Sequence, residues 1–307
     1  MAIILANDGI EASAKERLEN LGHTVDTNHY QGEDLLKRLA EVDVCIVRSA
    51  TKIRKEQLDA GKAGNLKLVI RAGVGIDNID HEYAETIGVH VTNTPAASSD
   101  AVAELALGHM LALCRNIYHA NVTMRQNKWL KKEYEGTEIA GKTLGLVGFG
   151  RIAQSLGRKA AALGMNVFYT NRSGPKADIT DFQYLPMDDL LKQADFISVH
   201  TPFAGGEAII GAKELAQCKD GVYVINTSRG GVVDEDAIVD AIESGKVAGA
   251  AFDVFVAEPS QNDRILHNDK ISLTPHIGAA TKEAQGRIGG NIVQIIEEYF
   301  GGNRPSV

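Results

Sequence analysis

The run Leu144-Gly145-Leu146-Val147-Gly148-Phe149-Gly150-Arg151-Ile152-Ala153 constrains this chain more than any other segment. A short apolar stretch feeds directly into a Gly-x-Gly-x-x-Ala turn, and the turn opens an amphipathic run that continues to Leu163. Each small residue has a physical use. Gly148 permits a tight turn, Gly150 lets a ligand approach the backbone, and Ala153 allows close packing of helix on strand. A helix starting there aims unsatisfied N–H groups and the positive end of its dipole at the turn, which suits a pyrophosphate. With a second strand ending near Asn171, the segment predicts a Rossmann-type dinucleotide site whose phosphate contacts are Gly148, Gly150, Arg151 and Ile152.

This motif begins mid-chain. Before it, β-branched runs at Ala2–Ala6, Val42–Val47, Leu68–Arg71 and Val89–Thr92 alternate with amphipathic stretches such as Ala12–Leu21, a pattern of βαβ units on a parallel sheet. The apolar spacing of Ser98–Met124 predicts one long bridging helix with Ser98 or Asp100 as its cap. A second series then runs through Thr143–Phe149, Val167–Thr170, Phe196–His200, Val222–Asn226, Gly249–Asp253 and Ile271–Thr274, which predicts a six-stranded doubly wound sheet. A last helix is expected over Glu283–Phe300. A chain of 307 residues suits two domains. The expected fold class is α/β, with two doubly wound parallel-sheet domains. A Rossmann dinucleotide-binding domain of residues 98–281 is inserted into a flavodoxin-like substrate domain of residues 1–97 plus 282–307.

Hydrophobic residues at 44% and charged residues at 23% are ordinary for a packed globular protein. A formal charge of -8 repels a polyanion, so nucleic acid is not an expected partner. Cys45, Cys114 and Cys218 sit in or beside apolar stretches without CxxC spacing, which predicts buried thiols in a reducing compartment and no metal site. The apolar start Met1–Ala6 is too short for a signal-peptide core, and no run of ~20 apolar residues follows. A cytoplasmic protein without a membrane partner is expected.

Polar groups gather at three predicted strand ends: Asn226-Thr227-Ser228-Arg229-Gly230-Gly231, Asp253 with Glu258-Pro259, and Thr274-Pro275-His276-Ile277-Gly278. Together with the glycine turn they resemble the D-isomer-specific 2-hydroxy acid dehydrogenase family over nearly the whole chain. Within the family the likeness is strongest to the D-3-phosphoglycerate dehydrogenases. It runs through Arg48-Ser49-Ala50-Thr51-Lys52, Arg71-Ala72-Gly73-Val74-Gly75-Ile76-Asp77-Asn78 and the stretch from His276 to Gln285. The resemblance implies an oxidoreductase that moves a hydride between a nicotinamide cofactor and a D-2-hydroxy acid. The implied couple is 3-phosphoglycerate/3-phosphohydroxypyruvate of serine biosynthesis. A glyoxylate/hydroxypyruvate reductase or D-lactate-type dehydrogenase is the alternative, and an NAD(H)-sensing corepressor a remoter one. The chain ends soon after Phe300, which resembles the short form without a regulatory extension.

The resemblance assigns Arg229 to the substrate carboxylate and carbonyl, His276 to acid/base work, and Glu258 to the His276 imidazole. The chemistry agrees. Negative charge gathers on the C2 oxygen as hydride arrives, a group titrating near neutrality can protonate it, and a planar guanidinium matches a carboxylate. By the same resemblance Asp253 holds the nicotinamide carboxamide, and His200, Thr201, Pro202, Thr227, Ser228, Gly278 and Ala279 border the cofactor. Arg48, Lys52 and Arg71, with Val74 and Gly75 beside them, are the implied substrate contacts. Lys131 either joins them from the neighbouring subunit of a homodimer built through the dinucleotide-binding domain, or belongs with Lys128 and Lys132 to a solvated basic face. One position departs from the family's NAD pattern: Asn171-Arg172 stands where an acidic ribose ligand is usual. NAD(H) is implied by resemblance. NADP(H) is opened by Arg172, which either pairs with a 2′-phosphate or is a solvated loop residue.

Overall fold

The computed structural model describes residues 1–203 and 205–301. The chain divides into two compact units, Met1–Ser98 together with the chain from Ala279, and Ser99–Gly278.

The first unit runs β1 (Ile3–Ala6), α1 (Ala12–Asn20), β2 (Thr24–Asp26), α2 (Gly32–Glu41), β3 (Val44–Val47), α3 (Lys55–Ala63), β4 (Leu68–Arg71), α4 (His81–Thr86) and β5 (His90–Asn93). The strands form one parallel sheet in the order β2-β1-β3-β4-β5, the flavodoxin-type winding. Side chains alternate across the sheet. Ile4, Ala6, Val44, Ile46, Leu68 and Ile70 pack beneath α1 and the terminal helix Lys282–Phe300. Leu5, Cys45, Val47 and Val69 enter the opposite core with Leu35, Leu39, Leu58 and Ala84 from α2, α3 and α4. Cover on both faces explains why these strands read as unbroken apolar runs. The terminal helix is capped by Thr281, whose Oγ1 accepts from Ala284 N at 3.1 Å, and it buries Ala284, Ile288, Ile292 and Ile296 on one stripe. The edge strand β2 is absent from the sequence expectation because its three residues are too few to show alternation.

The second unit runs α5 (Ser99–Cys114), α6 (Ile117–Arg125), β6 (Thr143–Val147), α7 (Arg151–Ala162), β7 (Asn166–Thr170), β8 (Gln183–Tyr184), α8 (Met187–Gln193), β9 (Phe196–Val199), α9 (Ala212–Gln217), β10 (Val222–Asn226), α10 (Glu235–Glu243), β11 (Val247–Phe252), α11 (Asp263–Leu266) and β12 (Ile271–Leu273); the terminal helix is α12. Its strand order, β12-β11-β10-β9-β6-β7-β8, is the Rossmann winding with one more strand, all parallel. Two expectations need correction. The sheet has seven strands rather than six, because the two-residue β8 pairs at its edge. The bridging helix is two helices, because Asn116 takes a left-handed φ of 51° between α5 and α6, a conformation asparagine tolerates better than most residues.

Ile292 is 1% exposed between sheet and helices. Ile292→Ala should lower stability by about 2–5 kcal/mol, read by urea unfolding followed by circular dichroism. An unchanged midpoint would contradict the role of α12 as the lid of the first unit's core.

Candidate functional site

The glycine turn sits where the second sheet reverses its winding, between β6 and β9. Gly148 has φ +84°, and a Cβ there would lie 2.7 Å from both the His200 carbonyl oxygen and Thr201 Cγ2, so only glycine lets the two strand ends meet. Gly150 caps α7 without a side-chain bond, and a Cβ built on it would meet nothing within 4 Å. The first N–H groups of α7, from Arg151 and Ile152 onward, have no acceptor in their own helix. Asn171, just beyond β7, accepts from Phe149 N at 2.9 Å and so pins the turn. Phe149 in turn stacks on Tyr169 with ring centroids 4.0 Å apart.

Around this turn, Asn171 Nδ2, His200 Nδ1, Thr201 Oγ1 and Thr227 Oγ1 are buried with no hydrogen-bond partner among the described residues. Buried polar atoms are nearly always paired, so unpaired ones at neighbouring strand ends fit a polar ligand. A dinucleotide, with hydroxyls, phosphates and a carboxamide, suits them. Burial lowers the His200 pKa to about 4, which keeps the ring neutral, and its Nε2 lies 2.9 Å from Ser198 Oγ. Pro202 follows Thr201, and Ser228 follows Thr227 at the end of β10. Arg172 is exposed and has no hydrogen bond or ion pair among the described residues.

The segment after β12 carries His276 at φ 53°, left-handed and costly for a residue with a Cβ. Asp253, 1% exposed at the end of β11, holds it there. Asp253 Oδ1 accepts from Thr274 Oγ1 at 2.7 Å and Ile277 N at 2.8 Å, Oδ2 accepts from Gly278 N at 2.8 Å, and the Asp253 carbonyl accepts from His276 N at 2.8 Å. The imidazole is thereby turned to Glu258, with Nδ1 and Oε2 2.7 Å apart. Glu258 Oε1 accepts from Phe255 N at 3.2 Å. Burial pushes the Glu258 carboxyl up, but the hydrogen bond and charge of His276, the Phe255 N–H and the Arg229 charge outweigh it and hold the group below its usual value. With Nδ1 engaged, Nε2 is the nitrogen left for a substrate. The pair borders an apolar recess of Phe255, Pro259, Leu266, Leu273 and Pro275.

Arg229 belongs to the turn after β10. Asn226, 1% exposed, donates from Nδ2 to the Arg229 carbonyl at 2.8 Å and accepts at Oδ1 from Ser228 N at 3.1 Å and Ser228 Oγ at 2.9 Å. Arg229 Nη1 donates to the Ser228 carbonyl at 2.7 Å. A Cβ at Gly230 would lie 1.9 Å from the Phe255 carbonyl oxygen, so this turn is pressed onto the loop that carries Glu258. From α10, Glu235 accepts from Val256 N at 2.9 Å and Asn262 Nδ2 at 3.1 Å, bracing the same loop. Asn226, Glu235 and Thr274 have no individual role in the sequence reading; for Asn226 and Thr274 the available signal is a polar residue closing or following an apolar strand, and for Glu235 an acidic residue opening a helix.

In the first unit the winding reverses between β1 and β3, and a loop there is tied down. Asp8 Oδ2 accepts from Arg48 N at 2.7 Å and Thr51 N at 3.1 Å, while Asn78 Nδ2 donates to the carbonyls of Arg48 at 2.8 Å and Thr51 at 2.7 Å. The side chains of half-buried Arg48 and exposed Lys52 have no hydrogen bond or ion pair among the described residues. Arg71, ending β4, donates from Nη1 to the Ala72 carbonyl at 3.0 Å. The Val74 carbonyl, one residue before Gly75, accepts from Asn93 Nδ2. Lys131 is exposed beyond α6 in the second unit and makes no hydrogen bond or ion pair among the described residues. Among the described residues no cluster of His, Cys, Asp or Glu is arranged to hold a metal ion, and no helix is long and apolar enough to cross a membrane.

Residues 107–278 match the family described as D-isomer specific 2-hydroxyacid dehydrogenase, NAD binding domain. A hydroxypyruvate reductase of Thermotoga maritima is 43% identical over 299 residues, 96% of each chain. This chain belongs to the D-isomer specific 2-hydroxyacid dehydrogenases. A D-3-phosphoglycerate dehydrogenase of Methanocaldococcus jannaschii is 39% identical over 98% of this chain, which spans 58% of that relative's length. The crystal structure of a glyoxylate reductase from Paecilomyes thermophila superposes with a TM-score of 0.87 at 32% identity, covering 98% of this chain and 95% of that one. As a member of this family the protein is a nicotinamide-dependent oxidoreductase using NAD(H) or NADP(H), and the family resemblance read from its motifs holds.

Gly230→Ala in this dehydrogenase puts a methyl group against backbone rather than a mobile side chain. The Glu258 loop must shift, and kcat should fall by about 10²-fold with circular dichroism retained. Parental kcat would contradict the close approach of the two loops.

Proposed function

We propose that this dehydrogenase interconverts 3-phosphoglycerate and 3-phosphohydroxypyruvate, at the entry to serine biosynthesis, with Arg229, Glu258 and His276 as its catalytic residues. The observation that carries the catalytic assignment is the 2.7 Å bond between Glu258 and His276 on a turn held left-handed by Asp253. The nicotinamide, when bound, supplies or accepts the hydride. In reduction His276 Nε2 donates a proton to the C2 oxygen, and in oxidation it takes that proton back. Glu258 fixes the orientation of the ring through Nδ1, and Arg229 offers two parallel N–H groups to the substrate carboxylate. For the cofactor, Gly148, Gly150, Arg151 and Ile152 would meet the pyrophosphate. Asn171, His200, Thr201, Pro202, Thr227, Ser228, Asp253, Gly278 and Ala279 would surround the rest.

Arg48 and Lys52, without an ion pair among the described residues, support the phosphorylated substrate, since they stand at a winding reversal where open sheets gather ligands. Arg71, Val74 and Gly75 belong with them. A homodimer built through the second unit would cover α6, which buries no residue of its own, and the exposed Ile117, Tyr118, Met124 and Trp129. Such a dimer would bring in Lys131. The three buried free cysteines suit a reducing cytoplasm.

A second reading is an NADPH-dependent reductase of hydroxypyruvate or glyoxylate. It is favoured by Arg172, exposed and unpaired beside Asn171, where no carboxylate would repel a 2′-phosphate. The two readings part in a matrix of initial rates with 3-phosphoglycerate, glycerate, lactate, glyoxylate and hydroxypyruvate against both coenzymes. The primary reading expects the highest kcat/KM with the phosphorylated acid and loses to the second if the unphosphorylated acids lead. In the same assay Arg172→Ala should weaken NADPH by about 1.5–3 kcal/mol with NADH little changed. Equal effects on both coenzymes would make Arg172 a solvated loop residue.

His276→Ala should lower kcat by ~10²–10⁴ with coenzyme affinity kept. Glu258→Gln keeps a polar partner for the ring but removes the carboxylate, and should lower kcat by about tenfold, the scale of one charge-assisted hydrogen bond, while turnover survives. Parental kcat would remove Glu258 from its role.

A further inference from the structure

His109 lies on α5 and is only 4% exposed, a place where leucine would pack without the cost of burying a polar ring. Its Nδ1 is 2.9 Å from Ser272 Oγ and its Nε2 is 3.0 Å from Thr274 Oγ1. Thr274 donates its one hydroxyl proton to Asp253 Oδ1 at 2.7 Å. Toward His109 that hydroxyl can therefore only accept, which places a proton on Nε2. Burial disfavours a charged ring here, against a smaller opposing pull from Asp253. A neutral ring with its proton on Nε2 must accept at Nδ1, so Ser272 donates there. The bonds form a chain of one direction, from Ser272 through His109 and Thr274 to the carboxylate that also holds Ile277 N and Gly278 N.

We infer that His109 is a positioning residue for the catalytic turn, orienting the Thr274 hydroxyl toward Asp253 and so holding His276 in its left-handed conformation. The inference rests on the reading of His276 as the acid/base group. His109 touches neither Glu258 nor His276, and its influence passes through Thr274 and Asp253.

In the full-length protein with coenzyme, His109→Leu should lower kcat about tenfold, the scale of one lost hydrogen bond, while KM and coenzyme affinity stay within about twofold. His109→Gln, which keeps a donor toward Thr274, should recover most of the loss. His109→Leu combined with Thr274→Val should cost no more than Thr274→Val alone, because both break one chain. Parental kcat with only a lower melting temperature, or additive losses, would overturn the inference. Nitrogen-15 NMR of the unmutated protein tests the chain without any variant or turnover. A neutral His109 with its proton on Nε2 is expected, and a charged ring or one protonated at Nδ1 at neutral pH overturns it. If His276→Ala keeps its kcat, the acid/base reading fails on its own, whereas the His109 spectrum still decides the chain.

Discussion

One carboxylate, Asp253, supports the turn that carries the proposed acid/base residue His276. It is buried at the end of β11, and its two oxygens accept from Thr274 Oγ1, Ile277 N and Gly278 N. These bonds offset the cost of a left-handed histidine, a conformation that persists only where its surroundings over-determine it. Remove that support and His276 relaxes away from Glu258. Orientation of the imidazole is thus produced by hydrogen bonds at the end of β11, three strands from the glycine turn after β6, not by contacts of the imidazole alone.

The loops around it follow from winding. Parallel strands deliver all their following loops to one end of a sheet, and reversal of the strand order parts neighbouring loops so that a ligand can enter. In the second unit that place holds Gly148, His200 and Thr201, with unpaired buried atoms beside them. In the first unit the same topological event places Asp8 under the loop from Arg48 to Lys52 and leaves those two side chains without an ion pair among the described residues. Each site is therefore a consequence of strand order, and the side chains decide which ligand each would take.

Much of this is legible in the sequence, for physical reasons that differ by element. The glycine turn can be read because only small residues fit there. The buried strands β3, β4, β6, β9 and β10 can be read because cover on both faces forces continuous apolar runs. The Glu258–His276 pair spans 18 residues and is visible only through family resemblance, since spacing of that length carries no periodic signal. Strands β2 and β8 are too short to show a pattern, and the break at Asn116 hides inside apolar spacing that continues past it. Asn226, Glu235 and His109 each look like an incidental polar residue until their partners, far away in the chain, are known.

Hydride transfer from the nicotinamide to C2 predicts where the C2 hydrogen of the product originates. Coenzyme deuterated at the transferring position of the nicotinamide, turned over with a 2-oxo acid, measures this directly by NMR of the product. The expected product is the D-2-hydroxy acid with deuterium at C2 and a primary isotope effect on kcat/KM. Solvent hydrogen at C2, or an L-configured product, would contradict it.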